Sequence, residues 1–459
     1  MMKSILLCGL VAIGVAAAFP ACVSPEETSG DGSCTASSCG GYCRALGRTG
    51  GHCSGGSCVC DGGGDGGDAH DTWDVSGPTV LMTGTVWSPG HLVPISGALV
   101  YFGVSEPAAI PSGAYAQACE DPPSPYVTFS APDGTFSIHV RPGSYWLTVQ
   151  KGQFRRVRTY AVPDTPDETV SIDEELTTLP NRTDESVGDT IPHIALSWAL
   201  SGGDHIEDVL AKMTLGQADG SGTLRRGTEP FDIYNISGYP PVSELITNLD
   251  TMLQYHIIFF PCTIGGGETL EDPTDFLSGS AVLENIRRYV TAGGKLYATD
   301  MMYDIFEQPM PEYLDMCGDD TVINDADSTA WEDSRTMSGW RSHGQAIAPD
   351  LAAWLDASLG IDPTNINLDG NFVWIEGMID PLDPAPTDPA APKTWVQGDF
   401  VLDASRTLPL TVTWPYGSGK VLFSTYHTDG ENPHTDIFPQ EYILLYLIME
   451  IGVCQDPIT

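Results

Sequence analysis

Six cysteines crowd into 27 residues, from Cys34 to Cys60, in the segment CTASSCGGYCRALGRTGGHCSGGSCVC. A stretch this short buries too little apolar surface to fold unaided, so covalent cross-links must supply its stability. The spacing is C-x4-C-x3-C-x9-C-x4-C-x-C. Cys39 and Cys43 stand four apart, on one face of a helical turn. Cys58 and Cys60 stand two apart, on one face of a strand. One arrangement staples that helix to that strand with two bridges and leaves Cys34 and Cys53 for a third. Six cysteines allow many pairings, so spacing alone does not choose among them.

The order CxxxC, GGHC, CVC resembles the cysteine-stabilised αβ fold of invertebrate and fungal defensins, over residues 34–60 only. CRALGRTGGHCSGGSCVC looks like the second half of an insect-type defensin, with its Gly-x-Cys turn at Gly51-His52-Cys53. The resemblance implies the bridges Cys34–Cys53, Cys39–Cys58 and Cys43–Cys60, and a role in defence. The segment departs from the cationic killing peptides of that family, because it offers only Arg44, Arg48 and His52. A disulfide knot used as a spacer is the competing reading, since fold does not imply function.

Export explains why such bridges form. Lys3 precedes an apolar run from Ile5 to Ala18, too short for a permanent span and typical of a secretory signal over residues 1–21. The run ends in Phe19-Pro20-Ala21-Cys22, which resembles a bacterial lipoprotein box with Cys22 as the acylated residue, followed by a polar tether over 22–33. Lipid chains there would anchor the chain to a membrane without a transmembrane helix. Val23 rather than Asp follows the cysteine, which in a Gram-negative lipoprotein points to the outer membrane or cell surface. Simple cleavage and secretion is the alternative. Disulfides persist in such a compartment. With Cys8 and Cys22 set aside, Cys119, Cys262, Cys317 and Cys454 remain outside the knot. Cys262–Cys317 is the expected additional bridge, and the pairing of Cys119 and Cys454 stays open.

Sixty-one acidic residues against twenty basic ones give a formal charge of −41, which repels phosphate backbones and argues against nucleic-acid partners. The same excess suits a hydrated envelope protein or one that meets divalent cations; the expected partners are the membrane, through the lipid anchor, and cell-wall material. No cofactor is expected beyond such a cation, and nothing bears on oligomeric state. With 41% hydrophobic residues and ten tryptophans the chain can build real cores.

The expected fold class is multidomain: the disulfide-rich αβ knot, an antiparallel β-sandwich, then a three-layer, flavodoxin-like α/β domain. The Gly/Asp run DGGGDGGDAHD lies in a flexible linker over 61–78. From 79 to 175, short alternating runs such as LMTGTVWS, GALVYFGV, GTFSIHV and SYWLTVQ are broken by Pro132-Asp133-Gly134 and Pro142-Gly143 and predict the sandwich. PISGALVYF, APDGTFSIHV and RPGSYWLTV resemble the carboxypeptidase regulatory-like domain, which implies a spacer or surface-interaction role. The basic run Phe154–Arg158 reads as a solvated strand edge.

From 190 to 454 the period changes. IPHIALSW, YHIIFFP, KLYATD and GSGKVLFSTYH read as strands, and GDHIEDVLAKM, SELITNLDTMLQ, AVLENIRRYVTA and QEYILLYLIMEI as helices. Such alternation indicates βα units on a parallel sheet. DPLDPAPTDPAAP reads as a surface loop. The run YHIIFFPC, then a helix, then YVTAGGKLYATD and the terminal GKVLFSTYH resemble the class I glutamine amidotransferase-like fold. Active members carry a nucleophilic cysteine in the tight elbow after a central strand. The matching place is Thr299-Asp300-Met301, which has no cysteine, so amidotransferase chemistry is not expected.

Ligands of open parallel sheets sit beyond the carboxyl ends of the strands. That rim would gather Cys262, Asp300, Asp304, His427 and Glu431, with His434 and Asp436 nearby. Cys262 with His427 forms the sharpest nucleophile–base pair, with Asp300 as a third group. His427, His434 and Asp436 form a weaker metal-ligand set. Asp319, Asp320, Asp325 and Asp327 lack the Gly and terminal Glu of a calcium-hand loop. Gly265-Gly266-Gly267 opens no helix, and Gly417-Ser418-Gly419-Lys420 precedes a strand instead of following one, which excludes a phosphate loop. The expected function is a non-catalytic cell-envelope lipoprotein displaying a defensin-like module, in defence or cell-wall binding. The alternatives are an envelope hydrolase using Cys262 and His427, and a purely structural or adhesive surface protein.

Overall fold

The computed structural model describes residues 50–54, 57–61, 77–116, 122, 124–199, 202–263, 276–277, 279–316, 340–378, 392–400, 403–429 and 433–452. Backbone contacts divide the chain into two compact units, Met1–Trp73 and Asp74–Thr459. In the first, strands Gly50–Ser54 and Ser57–Asp61 pair antiparallel, with Cys53 opposite Cys58 and Gly51 opposite Cys60. The strand expected at Cys58 and Cys60 is therefore present. The expected signal segment, Cys22, the helix expected at Cys39–Cys43 and all six knot side chains lie outside the described residues. The disulfide knot accordingly draws no support from them.

The second unit is dominated by β-sheet. Strands Leu99–Gly103, Val127–Phe129, Gly143–Lys151, Phe154–Val162 and Asp189–Thr190 form a five-stranded antiparallel sheet. Val80–Thr85 forms a second sheet between Thr135–Val140 and Thr169–Ser171. Alternation decides the packing: Phe136, Ile138 and Val140 point into the core while Thr135, Ser137 and His139 face water. The Pro132-Asp133-Gly134 turn forms as its residues dictate. The Asp133 carboxylate accepts the Thr135 N–H at 3.0 Å, and Gly134 takes φ +77°, where a side chain would be strained.

Two expectations change here. The sandwich is not purely antiparallel, because Thr169–Ser171 runs parallel to Val80–Thr85. The basic run is not a solvated edge either. Phe154–Val162 lies between Gly143–Lys151 and Asp189–Thr190, Phe154 is buried, and Arg156 and Arg158 both grip the Asp189 carboxylate at 2.9 Å. The two-residue strand that covers this edge is too short to show as a sequence pattern.

A nine-stranded mixed sheet follows. Its parallel half consists of Ile194–Ser197, Asp232–Tyr234, Ile257–Phe260, Lys295–Thr299 and Gly419–Ser424. In chain order these are the first to fifth parallel strands, and they lie side by side as 2-1-3-4-5. The near-continuous apolar runs have a direct cause. Ile257 and Phe259 enter the core on one face while Ile258 and Phe260 enter the core on the other, so both faces must be apolar. Helices Ile206–Lys212, Ser280–Thr291 and Pro439–Glu450 form where predicted. SELITNLDTMLQ instead splits into Val242–Ile246 and Leu249–Met252, because the Asn248 side chain accepts the Asp250 N–H at 3.1 Å and starts a new helix. The other half of the sheet, Trp340–Ala346, Ile366–Asn371, Lys393–Phe400 and Asp403–Tyr416, is an antiparallel extension joined to the fifth parallel strand. The expected purely parallel sheet is thus mixed.

The sandwich and the mixed sheet share one hydrophobic core, which runs from Val80, Phe102 and Phe154 to Trp354 and Tyr446. Polar contacts fix the junction. Trp354 Nε1 donates to the Pro94 carbonyl at 2.7 Å, Ser358 Oγ donates to Pro132 O at 2.7 Å, and Lys151 pairs with Glu450 at 2.6 Å. At the amino end of the fourth parallel strand, Lys295 is buried, with its ammonium 5.4 Å from the Tyr115 ring and no hydrogen-bond acceptor among the described residues. Burial, with Lys420 adding to it, pulls its pKa down to about 8 from the ordinary 10.5. The unfolded chain therefore holds this proton more tightly. The cost of the buried charge is fully present below pH 8 and is relieved as pH climbs through 8 towards 10.5, by on the order of 3 kcal/mol. Lys295→Met is expected to stabilise the protein at pH 7 and to flatten that rise, read from urea unfolding at a series of pH values. Destabilisation at pH 7 would contradict the assignment.

Candidate functional site

Strand order 2-1-3-4-5 reverses direction between the first and third parallel strands, and residues just past the strand ends face one rim. Asp204 lies in the loop after the first strand, Cys262 two residues past the third, Asp300 immediately after the fourth, and His427 three residues past the fifth. One hydroxyl joins three of these loops. Thr299 Oγ1 accepts the Cys262 N–H at 2.9 Å and donates to Asp204 Oδ2 at 2.8 Å. Asp204 returns the connection, its N–H donating to the Cys262 carbonyl at 3.0 Å, while its Oδ1 accepts the Asp429 N–H at 3.0 Å.

Within this frame the Cys262 thiol, an Asp300 carboxylate oxygen and an imidazole nitrogen of His427 lie within 4.8 Å of one another. His427 Nε2 stands 3.5 Å from Asp300 Oδ2. Cys262 and Asp300 are 0% exposed and His427 is 4% exposed. Asp300 has φ +50°, a left-handed conformation that Asp tolerates better than most residues, as the chain turns from the strand into the short 3₁₀ turn Asp300–Met302. The chain thus turns sharply at Asp300, directly after the strand. Burial first, and the charge of Asp204 next, push the Asp300 carboxyl well above the usual range, while the backbone amides of Phe372 and Met301 pull weakly the other way. Neither of its oxygens completes a well-formed hydrogen bond among the described residues.

His427 is held by its backbone and its neighbours. Its N–H donates to Gly370 O at 3.2 Å, and Gln440 Nε2 donates to its carbonyl at 2.7 Å. Gly370 must remain glycine, because it sits at φ +79° and a Cβ there would lie 3.0 Å from His427 Cβ and Cγ. The Phe372 ring packs 5.4 Å from the imidazole.

A second set of groups adjoins the rim. His205 Nδ1 lies 2.9 Å from Glu207 Oε1. Burial raises Glu207 to about 7 against the pull of His205. His205 reaches about 9: its burial opposes the proton most strongly, but the Glu207 hydrogen bond and the charges of Glu207, Asp429 and Asp208 together outweigh that. Burial, then Asp204, raises Asp429 to about 9. Asp204, Glu207, Thr299 and Asp429 were not singled out from the sequence. Polar residues at strand ends and helix starts are common, and nothing local marks these as withdrawn from water.

The remaining candidates separate. Asp304 is buried in the first turn of the helix Asp304–Glu307 and is not part of the three-atom cluster. The set His427, His434 and Asp436 is not assembled among the described residues. His434 stacks on Phe438 at 3.8 Å and meets Lys212 Nζ at 2.9 Å and Glu441 Oε1 at 3.2 Å, and Asp436 is exposed. The buried Lys212–Glu441 pair recruits His434 away from the rim. Gly417 and Ser418 form the hairpin turn between Asp403–Tyr416 and Gly419–Ser424, so the motif follows a strand as well as preceding one, contrary to expectation, and leads into a strand and not a helix. Cys119, Gly265 to Gly267, Cys317, the acidic run from Asp319 to Asp327, residues 380–391, Glu431 and Cys454 lie outside the described residues. So does the Cys317 end of the expected Cys262–Cys317 bridge.

No protein-family profile matches this chain, and no curated protein does. Among solved structures, a cytoplasmic protein from Salmonella typhimurium aligns at 13% identity over 56% of this chain and 98% of its own, with a TM-score of 0.31. A ThuA-like protein from Parabacteroides merdae aligns at 10% over 58% and 91%, with a TM-score of 0.32. A cold-adapted β-galactosidase from Rahnella aligns at 13% over 58% of this chain and 32% of its own, with a TM-score of 0.29. Scores this low carry no argument about fold or chemistry.

Thr299→Val keeps the shape of the hydroxyl junction and removes its hydrogen bonds. It leaves the Cys262 N–H and one Asp204 oxygen buried without a partner, and is expected to cost about 2–4 kcal/mol in denaturant unfolding. Thr299→Ser should lose less than about half of that. Equal costs for the two substitutions would show that packing, not the hydroxyl, matters here.

Proposed function

We propose that the protein is a non-catalytic cell-envelope lipoprotein, tethered through an acylated Cys22 and exported to the outer membrane or cell surface. It displays a defensin-like module and a large body that combines a regulatory-like sandwich with an amidotransferase-like α/β domain. The parallel strand order 2-1-3-4-5 supports the flavodoxin-like reading of that domain. The formal charge of −41 argues against nucleic-acid partners, and the membrane is reached through the lipid anchor.

One observation carries the absence of catalysis. The elbow that bears a nucleophile in amidotransferases carries Asp300, and Cys262, Asp300 and His427 are all closed off from solvent. A nucleophile needs access to its substrate, and a reactive thiol needs a partly exposed, electropositive setting. The hydrolase reading keeps one observation in its favour, the approach of thiol, imidazole and carboxylate within 4.8 Å.

The two readings differ in the reactivity of Cys262. With the native full chain in iodoacetamide, followed by peptide mass mapping, Cys262 is expected to stay unmodified and to react only after denaturation. Rapid native alkylation with an apparent pKa below about 8.5 would favour the hydrolase.

A further inference from the structure

We infer that Cys262, Asp300 and His427 form a binding site for a divalent transition-metal ion of the zinc class. Three ligand types from three adjacent strand ends converge so that one atom of each lies within 4.8 Å of the others. The 3.5 Å separation of His427 Nε2 and Asp300 Oδ2 is long for a charge-assisted hydrogen bond. It is close to the edge of a tetrahedron around an ion with bonds of about 2.0–2.1 Å, which is roughly 3.3 Å.

Asp300 supplies the independent sign. Its carboxylate is fully buried, neither oxygen has a well-formed hydrogen bond among the described residues, and a left-handed backbone holds it in that position. A buried carboxylate in a chain this acidic is costly unless a cation or proton offsets it. The donor set selects the cation. Thiolate and imidazole suit zinc, cobalt or copper and are poor ligands for calcium or magnesium. Three donors leave one tetrahedral position over.

The surroundings hold the donors in place. Thr299 Oγ1 and Asp204 clamp the backbone of Cys262 on both its N–H and its carbonyl. Gly370, Phe372 and Gln440 hold His427. Such outer contacts orient metal ligands. The ion would draw the ends of the third, fourth and fifth parallel strands together.

Cobalt(II) added to the full chain provides the test, because thiolate ligation gives a near-ultraviolet charge-transfer band and tetrahedral geometry gives intense visible bands. The expected result is one equivalent with both signals, displaced by zinc and not by calcium. Cys262→Ser should abolish the charge-transfer band, and His427→Ala and Asp300→Asn should weaken binding by at least about tenfold. Thermal melts keep the proposal testable if a variant folds poorly: zinc should raise the melting temperature of the wild type and raise that of Asp300→Asn by clearly less. A cobalt spectrum unchanged by Cys262→Ser would overturn the site. So would a Cys262–Cys317 disulfide in the native protein, or a zinc-induced shift undiminished in Asp300→Asn.

Discussion

A single buried hydroxyl, that of Thr299, holds the carboxyl edge of the parallel sheet together. Backbone groups at the ends of parallel strands have no ladder partners beyond the last residue, and in this fold they are also sealed from water. Thr299 accepts from the third strand's loop and donates to the first strand's loop, through Asp204. Asp204 in turn holds the loop after the fifth strand through the Asp429 N–H. The arrangement fixes where Cys262, Asp300 and His427 stand, and it does so in a region from which water is excluded. Burial therefore governs the electrostatics: Asp300 and Asp429 both hold protons more tightly than exposed carboxylates, and each feels Asp204 as the second cause.

The edge is stiff because the sheet beneath it is packed on both faces. One core joins the sheet to the sandwich, and a separate core lies on the opposite face under the helices Val242–Ile246 and Ser280–Thr291. The sandwich is therefore part of the same body, fastened at Pro94, Pro132 and Lys151. Gly152, at φ +57°, lets this junction close, because a Cβ there would stand 2.5 Å from the Met449 carbonyl.

Much of this was legible in the residues. Ile257–Phe260 and Lys295–Thr299 read as strands because two-sided burial leaves no polar alternation, and helix ends were marked by glycines such as Gly293 at φ +107°. The convergence of Cys262, Asp300 and His427 was legible too, since residues just past parallel strands meet on one rim. The antiparallel extension was not. Asp403–Tyr416 contains Pro409 and Pro415 and mixes polar with apolar positions, so its strand identity comes from its neighbours and not from local preference. His434 was misassigned for a similar reason. Spacing placed it near His427, but the buried Lys212–Glu441 pair, whose members are far apart in sequence, determines where its ring goes.

Hydrogen exchange on the native full chain tests most directly whether one cooperative body holds the site. Val100 and Leu147 in the sandwich and Ile257 and Leu422 in the parallel sheet are all fully or almost fully buried in the one core that the two halves share. Their amides are expected to exchange with one common opening free energy, equal to that of global unfolding. If the sandwich amides exchanged through a separate, cheaper opening while the sheet stayed protected, the shared core would not couple the two halves. The rim would then depend on the α/β layers alone.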